Sequence, residues 1–198
     1  MLKMPEKIKS DRIVLVRPYP VTFELATEIF EKIELSRETL RAWLSHVDLT
    51  KCPEDRYPWL MNQTQKWKKG EGFVYLIREK KTKALLGGID LMNCDETHKV
   101  AEIGYWLSDD AVGYGYITEA VYALESMAFK NGFNRIIIRT DSKNVRSDNV
   151  PKRCGYYLEC VMRSLKWSDY WQSFRDINVY SKLRTEWDAQ QKNKEKGV

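Results

Sequence analysis

The sequence has few of the residues that build metal centres or disulfide frameworks. It has two histidines, His46 and His98, and four cysteines, Cys52, Cys94, Cys154 and Cys160, with no Cys-x-x-Cys pair and no metal-ligand spacing. Two isolated histidines cannot complete a usual zinc site, so no metal is expected. The thiols read as reduced, and with no signal peptide at the N-terminus a cytoplasmic location is expected. No apolar run is long enough to cross a bilayer, so no membrane partner is expected. Internal repeats are absent. Two phosphate-binding signatures are missing as well: there is no Gly-Lys-Ser/Thr triplet, and Thr118 stands where the dinucleotide fingerprint needs a third small residue.

What is present suits one folded core. With 43% apolar and 12% aromatic residues in 198, the chain reads as a single domain over 1–185 followed by a charged tail, 186–198, a frayed helix or disordered. The net charge of +5 is spread along the chain, permitting contact with nucleic acid or an acidic partner without requiring it. Residues 1–10 look loose. Alternating patterns predict strands over 12–19, 73–79, 84–93, 99–107, 135–140, 156–165 and 174–183. Three-and-four spacing predicts helices over 23–34, after Ser36 with Leu40, Trp43 and Leu44 as its buried stripe, and over 57–69, with 52–56 a linker. Gly87-Gly88 suggests a bulge or a close backbone approach.

The chain is organised around residues 102–130. A strand holding Ile103, Tyr105 and Leu107 runs through a short turn into Gly113-Tyr114-Gly115, and from Thr118 an amphipathic helix carries Ala120, Val121, Leu124, Met127 and Ala128. Such a helix start aims unpaired N–H groups and a positive dipole end at whatever lies in front, and the glycines allow a phosphate close approach. A plain tight turn is the alternative for an isolated Gly-x-Gly.

This loop resembles the Gln/Arg-x-x-Gly-x-Gly/Ala signature of the GNAT superfamily of N-acetyltransferases, with Asp110 at the Gln/Arg position. A second block, Asn144-Val145-Arg146-Ser147 followed by Cys154-Gly155-Tyr156, is similar to the Asn-x-x-Ser…Gly-Phe/Tyr block of the RimJ/RimL type, which modifies ribosomal-protein N-termini. With residues 101–107 and 175–180, the likeness spans most of 10–184. It implies an α+β, three-layer fold: a mixed, mostly antiparallel central sheet of six to seven strands flanked by helices. It also implies acetyl-CoA as co-substrate, its pyrophosphate gripped by Val112, Gly113, Tyr114, Gly115, Tyr116, Ile117 and Thr118.

Direct acetyl transfer to a primary amine needs a deprotonated amine, stabilisation of the oxyanion and a proton for the departing thiolate. By the resemblance, the Leu107 amide or a neighbour polarises the thioester carbonyl, Ser147 protonates the sulfur and Asn144 holds the pantetheine arm. Asn144 and Ser147 equally suit a helix N-terminus. Glu102 is the candidate base, an exposed strand glutamate being the alternative. Glu159 and Asp176 are spare carboxylates, and Tyr156, Tyr157 and Tyr170 alternative proton donors. Trp43, Trp59, Trp67 and Tyr170 are candidate walls of the acceptor site, with core packing an equal alternative for the tryptophans.

The expected acceptor is a protein N-terminal α-amine, with a ribosomal protein and ribosome contact included. A small amine (polyamine, amino acid or antibiotic) is the enzymatic alternative, and a non-catalytic CoA-sensing or ribosome-docking module is the other. An open cleft favours a peptide end; a closed acidic pocket favours a small cation. Strand edges near the C-terminus offer pairing between two copies as a homodimer.

Overall fold

Every stretch with two-residue periodicity becomes a strand, and one further strand forms inside the segment that reads as loose. The computed structural model describes residues 2–195. Its strands are β1 (Lys7–Lys9), β2 (Ile13–Val16), β3 (Phe73–Glu79), β4 (Leu85–Asp95), β5 (Val100–Leu107), β6 (Arg135–Asp141), β7 (Tyr157–Ser168) and β8 (Ser173–Leu183), and the helices are α1 (Phe23–Leu35), α2 (Arg37–Arg41), α3 (Pro53–Lys69), α4 (Tyr116–Lys130), α5 (Val145–Arg153) and α6 (Arg184–Glu195). The strands form one sheet in the order β1-β2-β3-β4-β5-β6-β8-β7. Only β5 and β6 run parallel. The expected α+β architecture is present with eight strands, not six or seven, because β1 adds an edge.

Alternation along the central strands separates two cores. On one face α1 and α3 bury Ala26, Ile29, Ile33 and Leu60 against Leu76 and Leu85. On the other, α4 buries Ala120, Val121, Leu124, Ala128 and Phe129 against Ile13, Leu15, Tyr75, Ile77, Ile89 and Ile103. Each such side chain contributes roughly 1.5–3 kcal/mol by leaving water, so the glycine loop is carried on a well-anchored helix. Thr22 caps α1 as expected, accepting from the Leu25 amide.

Four readings change, and the two alternatives for the tail are decided. Residues 2–8 are anchored, with Leu2, Met4 and Ile8 buried. The expected 52–56 linker is helical from Pro53, because Cys52 and Asp55 form a capping box and Pro53 sits at the first helical position. α2 stops at Arg41, so Trp43 and Leu44 lie beyond it. α4 starts at Tyr116, two residues before the expected Thr118. Finally, the charged tail is helical from Arg184 to Glu195, with Trp187 buried and stacked on Phe129, centroids 5.5 Å apart; residues 196–198 of that tail lie outside the described residues.

The Gly87-Gly88 pair serves a close approach. A Cβ on Gly87 would stand 2.2 Å from the Trp106 carbonyl oxygen, and one on Gly88 2.6 Å from Trp106 Nε1. This pair lets β4 lie tightly along the end of β5, the strand that enters the glycine loop.

Candidate active site

The β5–β6 pairing covers only Val100–Glu102 against Arg135–Ile137, while β5 stays paired with β4 through Leu107. Past Glu102 the two parallel strands therefore part. The Ser108 amide donates to the Leu86 carbonyl of β4 (2.9 Å). By the alternation of an antiparallel ladder, the amides of Tyr105 and Leu107 then point the other way, into the gap that β6 leaves.

The glycine loop closes this gap at one end. Its first part is stapled to the helices before it: Ser36 Oγ accepts from the Asp109 amide (2.8 Å), Thr39 donates to Asp109 (2.8 Å), and Lys32 pairs with Asp110 (2.6 Å). That pairing holds the Asp110 carboxyl below its usual range. Asp110 thus anchors the loop to α1. Val112 donates its amide to the Asp109 carbonyl (3.3 Å) and is the one member of the expected cradle engaged in this way. Among the described residues, the amides of Gly113, Tyr114, Gly115, Tyr116, Ile117 and Thr118 reach no main-chain acceptor. Gly113 (φ 94°) and Gly115 (φ 78°) take left-handed backbone, which costs glycine little and shapes the turn into α4.

A glutamate in the first turn of α4 would work against anion binding, but Glu119 is neutralised. Arg12 donates its own amide (2.8 Å) and its Nε (2.8 Å) to that carboxylate and bonds the Tyr114 carbonyl (2.8 Å). Burial raises the Glu119 carboxyl, and these Arg12 bonds outweigh it to leave a lowered pKa. Arg153 places its guanidinium at the same helix start, Nε to Thr118 Oγ1 (3.3 Å). Sequence reading missed Arg12 and Arg153 because they come from distant elements.

Across the gap stands α5. Asn144 caps it, accepting from the Ser147 amide (3.2 Å), so the helix-start reading of this pair is realised. Ser147 Oγ donates to the Tyr105 hydroxyl (3.3 Å), which in turn donates to the Ser147 carbonyl (3.0 Å). A side chain of β5 is thereby fastened to the first turn of α5. The next residue, Asp148, is buried and accepts from Thr140 (2.8 Å), Asn178 (2.7 Å) and Tyr180 (2.9 Å). Desolvation raises its carboxyl, and these bonds with Lys152 lower it further than burial lifts it. Ser147 is therefore held from beneath by a buried network on β6 and β8.

The opposite face of β5 carries Glu102. Its carboxylate accepts from Asn93 (3.3 Å) and lies 3.6 Å from Arg139 Nε. Beside it a cavity of about 390 Å³ opens between α3 and the β3–β4 hairpin, lined in part by Trp59, Lys66, Glu71, Asp90 and Asn93. Sequence reading named Trp59 and missed Asp90.

The aromatic candidates separate in space. Trp43 meets Trp171 (5.8 Å between centroids), which meets Tyr170 (5.0 Å), in a cluster joining the α2 end to the β7–β8 turn, with Arg175 over Trp43 and Trp171. Trp67 packs on Phe73 and Tyr75 (5.1 Å each). The spare groups are engaged elsewhere: Glu159 pairs with Arg135, Asp176 accepts from the Ser164 amide (2.8 Å), Tyr156 is buried under Lys182, and Tyr157 is exposed on β7. Among the described residues no group of three or more His, Cys, Asp or Glu could hold a metal ion, and no helix is long and apolar enough to cross a membrane.

Parted parallel strands beside a glycine turn, with free amides at a helix start, form the frame of an N-acetyltransferase. The acetyltransferase (GNAT) domain matches residues 14–157, and the chain belongs to that family. It is similar to the ribosomal-protein-serine acetyltransferase of Escherichia coli (strain K12), 28% identical over 113 residues, and to YdaF of Bacillus subtilis (strain 168), 34% identical over 108 residues. These matches take in 57% and 54% of this chain, and 62% and 58% of the relatives' own length. The fold is that of RimL, a ribosomal L7/L12 α-N-protein acetyltransferase solved with coenzyme A: TM-score 0.83, 19% identity, covering 90% of this chain and 98% of that one.

Proposed function

We propose that this protein transfers the acetyl group of acetyl-CoA directly to a primary amine, the α-amino group of a protein N-terminus, with a ribosomal protein as the acceptor. The observation that carries the reading is the row of amides over 113–118 that reach no main-chain acceptor, at the mouth of a gap whose far wall is Ser147. Six consecutive donors, a helix dipole and Arg153 suit a diphosphate. The residues present thus fit acetyl-CoA, which supplies the activated acetyl group when bound.

Roles follow from position. The Leu107 and Tyr105 amides offer hydrogen bonds to the thioester oxygen. Ser147 donates a proton to the departing sulfur, and the Tyr105 hydroxyl orients it. Asn144, its oxygen engaged by Ser147, donates through its amide nitrogen to the pantetheine arm. The acceptor approaches from the other face of β5, where Glu102, Trp59 and the cavity lie, and Trp43 and Tyr170 flank its peptide chain. A ribosomal acceptor puts the enzyme in the cytoplasm. Pairing of two copies along β7, an edge strand exposed through most of its length, would give a homodimer, which light scattering would reveal.

The test is release of free CoA thiol from acetyl-CoA with N-terminal peptides and with small amines in parallel. Turnover with peptides, and little with polyamines or amino acids, is expected. A non-catalytic module would instead bind RNA or coenzyme A with no turnover, and that binding to RNA would weaken steeply with salt.

Two further outcomes are expected. Gly115→Val places a β-branched residue at φ 78° and should cost about 1–2 kcal/mol. It should also weaken coenzyme A binding in calorimetric titration. Arg12→Ala frees Glu119 to repel the phosphates, so the KM for acetyl-CoA should rise several-fold with kcat less affected.

A further inference from the structure

Asp90 lies opposite Gly104 in the β4–β5 register, and Met92 lies opposite Glu102. Where Gly104 lacks a side chain, its place is taken: a Cβ there would stand 2.8 Å from Asp90 Oδ1 and 2.4 Å from Met92 Cε. The Asp90 carboxylate therefore lies over the main chain of β5 just past the point where β5 leaves β6. Tyr105, the next residue, points to the other face and meets Ser147. A carboxylate and a hydroxyl thus flank adjacent residues of β5 from its two sides, which is the placement direct transfer needs: base on the acceptor side, acid on the sulfur side.

We propose that Asp90, reaching over Gly104 from the cavity between α3 and the β3–β4 hairpin, binds the acceptor's ammonium group and takes its proton. The inference rests on the acetyl-transfer reading above and assigns the base within it to Asp90, with Glu102 as its charged neighbour. Glu102 is engaged by Asn93 and Arg139, whereas among the described residues no side-chain hydrogen bond or ion pair reaches the Asp90 carboxylate.

The charged and titratable groups facing Asp90 are Glu102 from β5, backed by Arg139 of β6; Lys66 of α3; Glu71 ahead of β3; and the Cys94 thiol on β4. Burial first, and then the Glu102 charge, push the Asp90 carboxyl up to about 7, against a smaller pull from Lys66. That level suits one class of amine. An N-terminal α-amine titrates at about 7.7–8.0 and a lysine side chain at about 10.4. Proton transfer to Asp90 costs less from the first than from the second, which favours an α-amine as the acceptor.

The step balances. The ammonium gives one proton to Asp90, nitrogen forms its bond to the acetyl carbon and the C–S bond breaks. The sulfur takes a proton from Ser147, which is restored by the second proton leaving nitrogen. The products are the N-acetylated chain, free CoA thiol and one proton released to water.

The test compares pH profiles of kcat/KM for one N-terminal peptide across variants, so that the peptide's own titration is common to all. Asp90→Asn should lower kcat/KM at pH 7.5 about 100-fold or more and remove the enzyme's acid limb. Glu102→Gln should keep that limb and shift it to lower pH, because a negative neighbour has been removed. Gly104→Ala, which pushes the carboxylate off β5, should lower kcat while coenzyme A affinity holds. Coenzyme A titration and thermal unfolding confirm that each variant is folded. A wild-type profile in Asp90→Asn, or loss of the limb in Glu102→Gln alone, overturns the proposal. If no amine speeds the wild type's release of CoA thiol, the acetyl-transfer reading itself fails and this inference falls with it.

Discussion

Ser147→Ala is expected to lower the rate of acetyl transfer by about 100- to 10,000-fold, the range by which a positioned proton donor accelerates a reaction. The thiolate leaves poorly without a proton, and Ser147 is tied to the mouth of the gap through Tyr105 at 3.3 Å. Coenzyme A affinity should stay near wild type, since the loop amides are main-chain groups the substitution does not touch. The expected signature is thus a fall in kcat with little change in the KM for acetyl-CoA. Tyr105→Phe should cost less, because it loosens the orientation of Ser147 without removing its proton. An undiminished rate in Ser147→Ala would remove Ser147 from the mechanism.

Lys182→Met is expected to destabilise the fold by about 3–5 kcal/mol, the usual cost of stranding one member of a buried ion pair. Lys182 on β8 is fully buried, Glu125 on α4 nearly so, and the ammonium donates to both carboxylate oxygens at 3.0 Å and to the Cys154 carbonyl. Removing the cation leaves Glu125 charged inside the core that carries α4, unless it takes up a proton. The loss should therefore be larger at pH 8 than at pH 5. Replacing both residues, Glu125→Leu with Lys182→Met, should recover most of the stability, since two apolar groups need no partner. Denaturant unfolding of the three variants decides this, and a near-neutral Lys182→Met would mean that the pair is hydrated in solution.

Much of the fold is legible in the sequence because its strands bury alternate residues. The 73–79 strand matches residue for residue, and Thr22 caps α1 because a hydroxyl before an apolar run can do little else so well. The misreadings share a cause. β1 is three residues long, too short for a periodic signal, and forms because β2 offers an edge. The tail has few apolar residues and no periodic stripe of them, and its helix as far as Glu195 is docked through Trp187 on Phe129. The glycine loop and the Asn144–Ser147 block could be located from residue order alone. Asp90, Arg12 and Arg153 could not, because nothing local sets an aspartate in a strand, or arginines in a turn and a helix, apart from others like them.

Residue order by itself determined the strand and helix periods, the left-handed turn that only glycines take cheaply, and the cap that starts α5; these are short-range matters of sterics and hydrogen bonding. Tertiary structure alone decided that β5 parts from β6, that Asp110 ties to α1 instead of facing a ligand, and that Asp90 leans over Gly104 opposite Ser147. Those relations join residues separated by up to about 80 positions, and they exist only once burial of two apolar faces has fixed which strands are neighbours and in what register.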